Sequence, residues 1–376
     1  MSKKILITCT DSMMKQFLEP HVNALLARGH QVDLACSEVL NRYAELQADF
    51  GDRVSLRRVD VRRNPFTPSN LKGFRQLRRI IDEGGYDLIW TNEPAMGVIT
   101  RLAARRARAG GTRVMYLVHG FHFFRGAPTL NWALYYPIEC FMARFADLIC
   151  TINREDYARA SQMKVPETAY IHGIGVDVSR LRADESLPAL RRELSLPDSA
   201  FLVLSVGELN KNKNQQVVVR ALAQAKLPDT HLVLCGRGDR REALGQLAQS
   251  LGVSDRVHFL GYRRDMANIY SQCDVFVLPS LREGLGLASL EAMTFGLPVI
   301  GADVGGIRDY VKDGVTGILC RQNRPEEYAA AILRLKNALG QSGKRAAMAE
   351  NCRAVARDFL IDPVREELQA VVGRLL

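Results

Sequence analysis

A chain of 376 residues is long enough for two domains that each bury their own core. Its 47% hydrophobic and 24% charged content excludes wholesale disorder, and its apolar runs are too short for a signal peptide or a membrane span, which leads us to expect a cytoplasmic protein. The formal charge of +10 points to an anionic partner or a solvated basic face.

In chain order, short Val/Ile/Leu-rich runs alternate with longer amphipathic stretches, the βα repeat of a parallel sheet covered on both faces. Strands are expected at 5–9, 31–36, 54–60, 87–92, 114–119 and 148–152. In the loop after the first, Asp11 and Ser12 are suited to cap the following helix or to touch an acceptor. Phe17, Val22, Leu25 and Leu26 then form an apolar helix face that stops at Gly29. A second helix is expected over 69–82, burying Phe74, Leu77 and Ile81 and exposing Lys72, Arg75, Arg78 and Arg79. It lies in a basic region, since from Arg53 to Arg113 the only acids are Asp60, Asp82, Glu83, Asp87 and Glu93. Such a region is either a solvated arginine face or a surface for anionic lipid or a phosphate-bearing acceptor. Nucleic acid is not expected, because no recognition module or interleaved aromatics accompany the charge. His119 ends the fifth strand ahead of Gly120-Phe121-His122-Phe123-Phe124, where it is either structural or a ligand contact, and the aromatic run is a candidate acceptor wall.

From 178 to 199 the alternation weakens and Pro188 and Pro197 bracket a charged stretch, read as a linker. Six more strands follow at 201–206, 231–235, 257–262, 275–279, 299–303 and 317–320, with helical patterns to the end and a break at Pro363. The expected architecture is α/β: two Rossmann-like domains, 1–177 and 200–362, facing each other across a cleft. The eight cysteines show no zinc spacing and read as small core residues in a reducing compartment, so no metal site is expected.

The most informative stretch is 279–293, Pro-Ser-Leu-Arg-Glu-Gly-Leu-Gly-Leu-Ala-Ser-Leu-Glu-Ala-Met. It follows a buried-looking strand, turns on Gly284 and Gly286 and opens a helix. The N–H groups of Gly286, Leu287 and Ala288 then form a positive helix end suited to a diphosphate. Glu291, a turn inside the helix, could accept two ribose hydroxyls, and Glu283 would end the strand beneath a sugar. A glycine turn flanked by two ordinary acids is the bland alternative.

The spacing Glu283-x7-Glu291 within E-G-x-G-L-x-x-x-E-A-M, followed by Gly296-Leu297-Pro298-Val299 and Gly305-Gly306, resembles the retaining glycosyltransferases of family 4 with the GT-B fold. Gly175-Val176-Asp177, Gly207-x-Leu209 with Lys213-Asn214, Gly236-Arg237-Gly238-Asp239 and Phe259-Leu260-Gly261-Tyr262 agree with it, and the loop 207–214 is similar to the branch that builds capsular, exopolysaccharide and lipid-linked glycans. The resemblance implies a UDP-sugar donor, no cofactor or metal, retention by front-side displacement, and a last helix, 363–376, that returns to the first domain. It assigns Lys213 to the diphosphate, Glu291 to the ribose, Glu283 and His119 to the transferred sugar, and the backbone near Tyr262 and Arg263 to the base. Asn210 and Arg237 join the donor set. One departure is Glu208, where relatives commonly carry an arginine; Lys211 or Arg237 are its candidate substitutes. A lipid-linked or growing glycan acceptor and an anionic membrane surface are the implied partners, the enzyme sitting peripherally on the cytoplasmic face. Two other classes compete: a sugar-nucleotide epimerase on the same scaffold, and a non-catalytic module whose basic face binds membranes or anionic polymers. A dinucleotide oxidoreductase lacks its G-x-G-x-x-G after either first strand.

Overall fold

The computed structural model describes residues 2–11, 15–38, 43–64, 67–181, 183–184 and 186–376. The chain forms two compact units, Met1–Gly175 with Ile361–Leu376, and Val176–Leu360.

The first unit is built on a parallel sheet of β1 (Lys4–Asp11), β2 (Gln31–Ser37), β3 (Val54–Arg58), β4 (Leu88–Asn92), β5 (Arg113–Val118), β6 (Leu148–Thr151) and β7 (Glu167–Tyr170) in the order β3-β2-β1-β4-β5-β6-β7. β4 and β6 are buried along their whole length. Helices on both faces bury every side chain, and hence these strands open on the apolar runs Leu88–Trp90 and Leu148–Cys150 without polar alternation, their polar ends Thr91, Asn92 and Thr151 being buried too. β7, Glu-Thr-Ala-Tyr, was not expected from the sequence: an edge strand with one buried side chain carries no such run. The expected helix at 69–82 forms as Ser69–Gly84, with Leu77 and Ile81 buried beneath it. The helix Ile361–Gly373 returns to this unit and packs on the helix Lys15–Ala27. Glu367 fastens it by accepting from the His172 backbone N–H (2.8 Å) and lying 2.7 Å from its Nδ1. Pro363 does not break this helix as expected; it sits in the first turn, where a missing N–H costs no hydrogen bond.

The second unit repeats the plan with β8 (Phe201–Val206), β9 (Thr230–Cys235), β10 (Val257–Gly261), β11 (Val275–Leu278), β12 (Val299–Ala302) and β13 (Gly317–Cys320), ordered β10-β9-β8-β11-β12-β13 and parallel throughout. One core layer joins Val217, Val218 and Leu222 of the helix Gln216–Ala225 to Ile332 and Leu335 of the helix Pro325–Leu339. The stretch 178–199, read as a linker, is part of this unit. Its one-turn helix Leu190–Glu193 buries Leu190, and Arg191 donates to Asp274 (3.2 Å). All eight cysteines are free thiols, seven of them buried, as core residues should be.

In each sheet the chain winds outward from the first strand in one direction and then in the other. The reversals fall between β1 and β4 and between β8 and β11. Loops leaving adjacent strands at such a point part to opposite faces and open a crevice at the strands' carboxyl ends.

Candidate functional site

In the second unit, that crevice is formed by the loops after β8 and β11, which are laced together. Leu281 N–H donates to the Asn212 carbonyl (2.7 Å), Asn212 Nδ2 to the Arg282 carbonyl (3.0 Å), and Asn214 Nδ2 to the Pro279 carbonyl (3.2 Å). Asn210 Oδ1 caps the turn by accepting from Lys213 N–H (2.9 Å). This lacing delivers the Lys213 ammonium to Glu283, Nζ to Oε2 2.6 Å, and Ser280 Oγ donates to the same oxygen (2.9 Å). Lys213 and Glu283, separated by seventy positions in the chain, therefore form one charged pair at the sheet's reversal.

Beyond Glu283 the chain reaches Gly286, whose φ of 87° lies in the left-handed region and whose Cβ, if present, would stand 2.5 Å from Leu278 Cδ2. Only glycine satisfies both conditions. The helix Leu287–Thr294 starts there. Its first turn is held by Ser289 Oγ, which donates to the Gly286 carbonyl (2.6 Å), and by Tyr310 OH, which donates to the Leu285 carbonyl (2.8 Å). The leading N–H groups of a helix have no intrahelical acceptor, so Leu287 and Ala288 present donors with the positive end of the helix dipole behind them. Gly305 completes the support: a Cβ there would lie 2.0 Å from the Glu283 carbonyl oxygen, and its φ is 46°.

Glu291 is half-buried one turn further on and accepts from Tyr270 OH (2.8 Å). Burial raises its pKa above the ordinary glutamate range, and the tyrosine's hydrogen bond opposes part of the rise. The Arg237 guanidinium lies 5.9 Å from the centre of the exposed Tyr262 ring, and the Arg237 carbonyl accepts from Leu209 N–H (2.9 Å), which joins the β9 loop to the β8 loop. Arg263 is different. Its guanidinium donates to both carboxylate oxygens of Asp265 (2.8 and 2.6 Å) and to both of Glu193 (2.6 and 3.2 Å), and these carboxylates raise its pKa further. The Arg263 side chain is thus a structural cross-link, and only its backbone is left for contact with a base. Glu208, in the place of the usual arginine, accepts from Asn210 Nδ2 (2.9 Å), and Lys211 lines a surface depression with Asn210, Arg220 and Arg240.

In the first unit, His119 Nε2 lies 3.1 Å from Asn92 Oδ1. Asn92 Nδ2 donates to the Thr8 carbonyl (3.1 Å) and its Oδ1 also accepts from Trp90 Nε1 (3.2 Å), so the amide orientation is fixed and His119 Nε2 carries the proton. Burial lowers its pKa to about 4, with His21 adding to the effect, which keeps the imidazole neutral near pH 7. A hydrogen bond from His119 to a sugar, as the sequence reading has it, would have to come from a ring whose N–H already serves Asn92.

Asp11 ends β1; its side chain and Ser12 to Met14 lie outside the described residues. The residue that sequence reasoning missed here is Glu93. It follows β4 with φ 63° and ψ 151°, a region reserved almost wholly for glycine, and accepts from Thr10 N–H (2.6 Å). No local pattern announces that strain. The aromatic run read as an acceptor wall is core: Phe121 and Phe123 are buried and stacked 4.6 Å apart, and Phe123 packs on Trp132 and Tyr136 of the helix Thr129–Ala143.

Two doubly wound parallel sheets, one ending in a charged pair beside amides fit for a diphosphate, define the GT-B class of sugar-nucleotide enzymes. Residues 188–355 match the family described as glycosyl transferases group 1, and residues 14–172 the glycosyl transferase 4-like domain. The chain is 37% identical over 361 residues to "Putative glycosyltransferase EpsD" of Bacillus subtilis (strain 168), covering 93% of each. It is 30% identical over 281 residues to the UDP-Gal:alpha-D-GlcNAc-diphosphoundecaprenol alpha-1,3-galactosyltransferase of Escherichia coli, covering 73% of this chain and 72% of that one. In fold it is similar to Anabaena Alr3699/HepE, solved with UDP and glucose, at a TM-score of 0.79 and 22% identity over 99% of this chain and 100% of the other. The chain belongs to the family-4-type glycosyltransferases with the GT-B fold.

Proposed function

We propose that this glycosyltransferase moves a hexose or N-acetylhexosamine from a UDP-sugar to a lipid-linked or growing glycan, with retention of anomeric configuration, at the cytoplasmic face of a membrane. The observation that carries the reading is the Lys213–Glu283 pair beside the N–H groups of Leu287 and Ala288. A departing UDP gains negative charge on its diphosphate. The helix end and the Lys213 ammonium meet that charge with fixed donors, without a metal ion being assigned to it. Glu283, held by Lys213 and Ser280, takes hydroxyls of the sugar, and ionised Glu291 takes those of the ribose. In front-side displacement the leaving phosphate accepts the acceptor's proton, so no side chain is assigned as base. Support for the donor and acceptor comes from the relatives: the HepE structures hold UDP or UDP-glucose, and the Escherichia coli enzyme is named for UDP-Gal and a diphosphoundecaprenol acceptor. Among the described residues no helix is long and apolar enough to cross a membrane, and the proposed location is peripheral.

The test is calorimetric titration with UDP, ADP and GDP, then UDP release from a panel of UDP-sugars with a polyprenyl-diphosphate sugar as acceptor, with and without EDTA. Binding selective for UDP, acceptor-dependent release that survives EDTA, and a product keeping the donor's anomeric configuration are expected. Inversion in the product or dependence on a divalent cation would overturn the corresponding part, and epimerised sugar formed without acceptor would favour the epimerase reading.

A further inference from the structure

The helix Thr129–Ala143 has one ionisable acid, Glu139, and it points inward. Arg101, wholly buried, donates from Nη2 to Glu139 Oε2 (2.7 Å) and stacks its guanidinium 4.2 Å from the Tyr116 ring centre. Trp132 and Tyr136 pack inward on Phe123. With that face fixed, the opposite one must carry what remains, and what remains is apolar. Leu130 is 71% exposed, Phe141 50% and Ile138 41%, and Ala133 and Pro137 lie exposed between them. The spacing i, i+3, i+7, i+8 and i+11 makes this one continuous stripe down the helix.

Arginines border the stripe at its carboxyl end. Arg144 stacks 4.3 Å from the Phe141 ring, which meets the Phe145 ring at 5.7 Å, which in turn carries Arg105 at 4.9 Å. Among the described residues neither guanidinium has a carboxylate partner. The helix Ser69–Gly84 contrasts with this, although its charges made it the membrane face in the sequence reading. There Lys72 pairs with Asp60 (2.6 Å), Arg79 with Glu83 (2.8 Å) and Arg78 with Asp82 (3.6 Å), and only Leu71 stands out as a large exposed apolar residue. Its basic charge is largely cancelled where it stands.

We propose that the stripe Leu130–Ile138–Phe141, with Arg144 and Arg105 at its edge, is the surface by which this protein docks on an anionic lipid bilayer. The inference rests on the membrane-borne acceptor reading above and names its docking element. An apolar ridge enters the acyl boundary while guanidiniums stacked on aromatic rings remain at the headgroups, the arrangement of an interfacial helix. A second copy of the chain fits less well, because a two-fold axis through the stripe would bring the unpaired arginines face to face.

The experiment is sedimentation of the full chain with phosphatidylcholine vesicles, with or without about one part in three of phosphatidylglycerol, alongside calorimetric UDP binding and sedimentation velocity. Wild type should bind the anionic vesicles and not the neutral ones. The triple variant Leu130→Gln/Ile138→Gln/Phe141→Gln should lose binding, and Arg105→Gln/Arg144→Gln should weaken it about twenty-five-fold, from roughly fivefold per arginine at an anionic surface. Arg75→Gln/Arg78→Gln/Arg79→Gln should bind nearly as wild type, and UDP affinity should be unchanged throughout because all substitutions lie outside the donor-binding unit. Absent vesicle binding by wild type, or its retention in the triple variant, overturns the proposal. So does a wild-type dimer that the triple variant dissociates, which would make the occupant a second copy. Loss of UDP binding in wild type would instead sink the donor reading and leave the docking result standing.

Discussion

Acidification provides a sharp test of the interior of the first unit. His21 is 3% exposed with Nε2 3.0 Å from the Ile174 carbonyl, and burial lowers its pKa to about 4, the same value as His119. Both folded values lie below the ordinary 6.5, so the unfolded chain takes up protons first. Each neutral histidine therefore contributes stability that is fully present above pH 6.5 and is lost as pH falls toward 4. At 1.36 kcal/mol per pH unit, this is about 3 kcal/mol per histidine, and about 6 kcal/mol for the two together, between pH 7 and pH 4. The chain's two tryptophans, Trp90 and Trp132, both lie in this unit, and urea unfolding followed by tryptophan fluorescence reports on it alone. The urea midpoint should fall steeply below pH 6.5, and His21→Gln and His119→Gln should each remove a similar, large share of the slope, the rest coming from His30, whose pKa burial also lowers. The window above pH 4.5 isolates the histidines, because Asp60 and Asp87, held by Lys72 and by the Lys4 backbone N–H, titrate below the usual carboxylate range. A midpoint independent of pH across that window, or an unchanged slope in the double variant, would refute the argument.

The remaining predictions concern the donor side. Because burial raises the Glu291 pKa, its carboxylate is lost on acidification sooner than an ordinary glutamate's, and the folded unit gains the proton more readily than the unfolded chain. UDP affinity measured by calorimetry should therefore weaken as pH falls from neutrality toward the carboxylate range, and Glu291→Gln should bind weakly at every pH; a pH-independent wild type would contradict the ribose role. Lys213→Met should lower kcat about a hundredfold or more while Tm moves little, as expected when a donor to developing charge is removed, and a change confined to KM would assign it to uniform binding instead. Gly305→Ala forces a Cβ toward the Glu283 carbonyl oxygen at a φ of 46°, and should destabilise the second unit by more than about 1 kcal/mol and displace Glu283. Its turnover should fall further than its Tm, and a variant with full activity would show that the approach is not needed.

Local patterns were legible and long-range pairings were not. The segment 279–293 could be read from sequence because its chemistry is sequential: two glycines make the turn, the helix start follows, and the acids sit at fixed offsets. The Lys213–Glu283 pair required the loops after β8 and β11 to meet, which follows from sheet order and from no spacing. The pairing of the Arg263 side chain with Glu193 is hidden for the same reason, since Glu193 lies seventy residues earlier in a stretch that reads as a linker. Glu93 escaped because a strained φ leaves no mark on composition. The helix Thr129–Ala143, by contrast, was visible in principle: Leu130, Leu134, Ile138 and Phe141 keep a helical period, but an aromatic-rich stretch with both faces apolar reads as core.

Charge shows the same limit in the opposite direction. Counting arginines picked out Ser69–Gly84, yet two of the cancelling acids were already in the sequence at i+4, Asp82 for Arg78 and Glu83 for Arg79. Exposed pairs of this kind add little stability, but they decide how much unneutralised charge the face presents at contact distance. Beyond about one Debye length, salt screens the charge of either face. On the docking proposal, the helix Thr129–Ala143, with exposed Leu130, Ile138 and Phe141 and two guanidiniums that have no carboxylate partner among the described residues, therefore attracts an anionic surface more strongly than Ser69–Gly84 with twice the cations. By the same proposal, the residues to test at a membrane are those whose charge the fold leaves uncancelled.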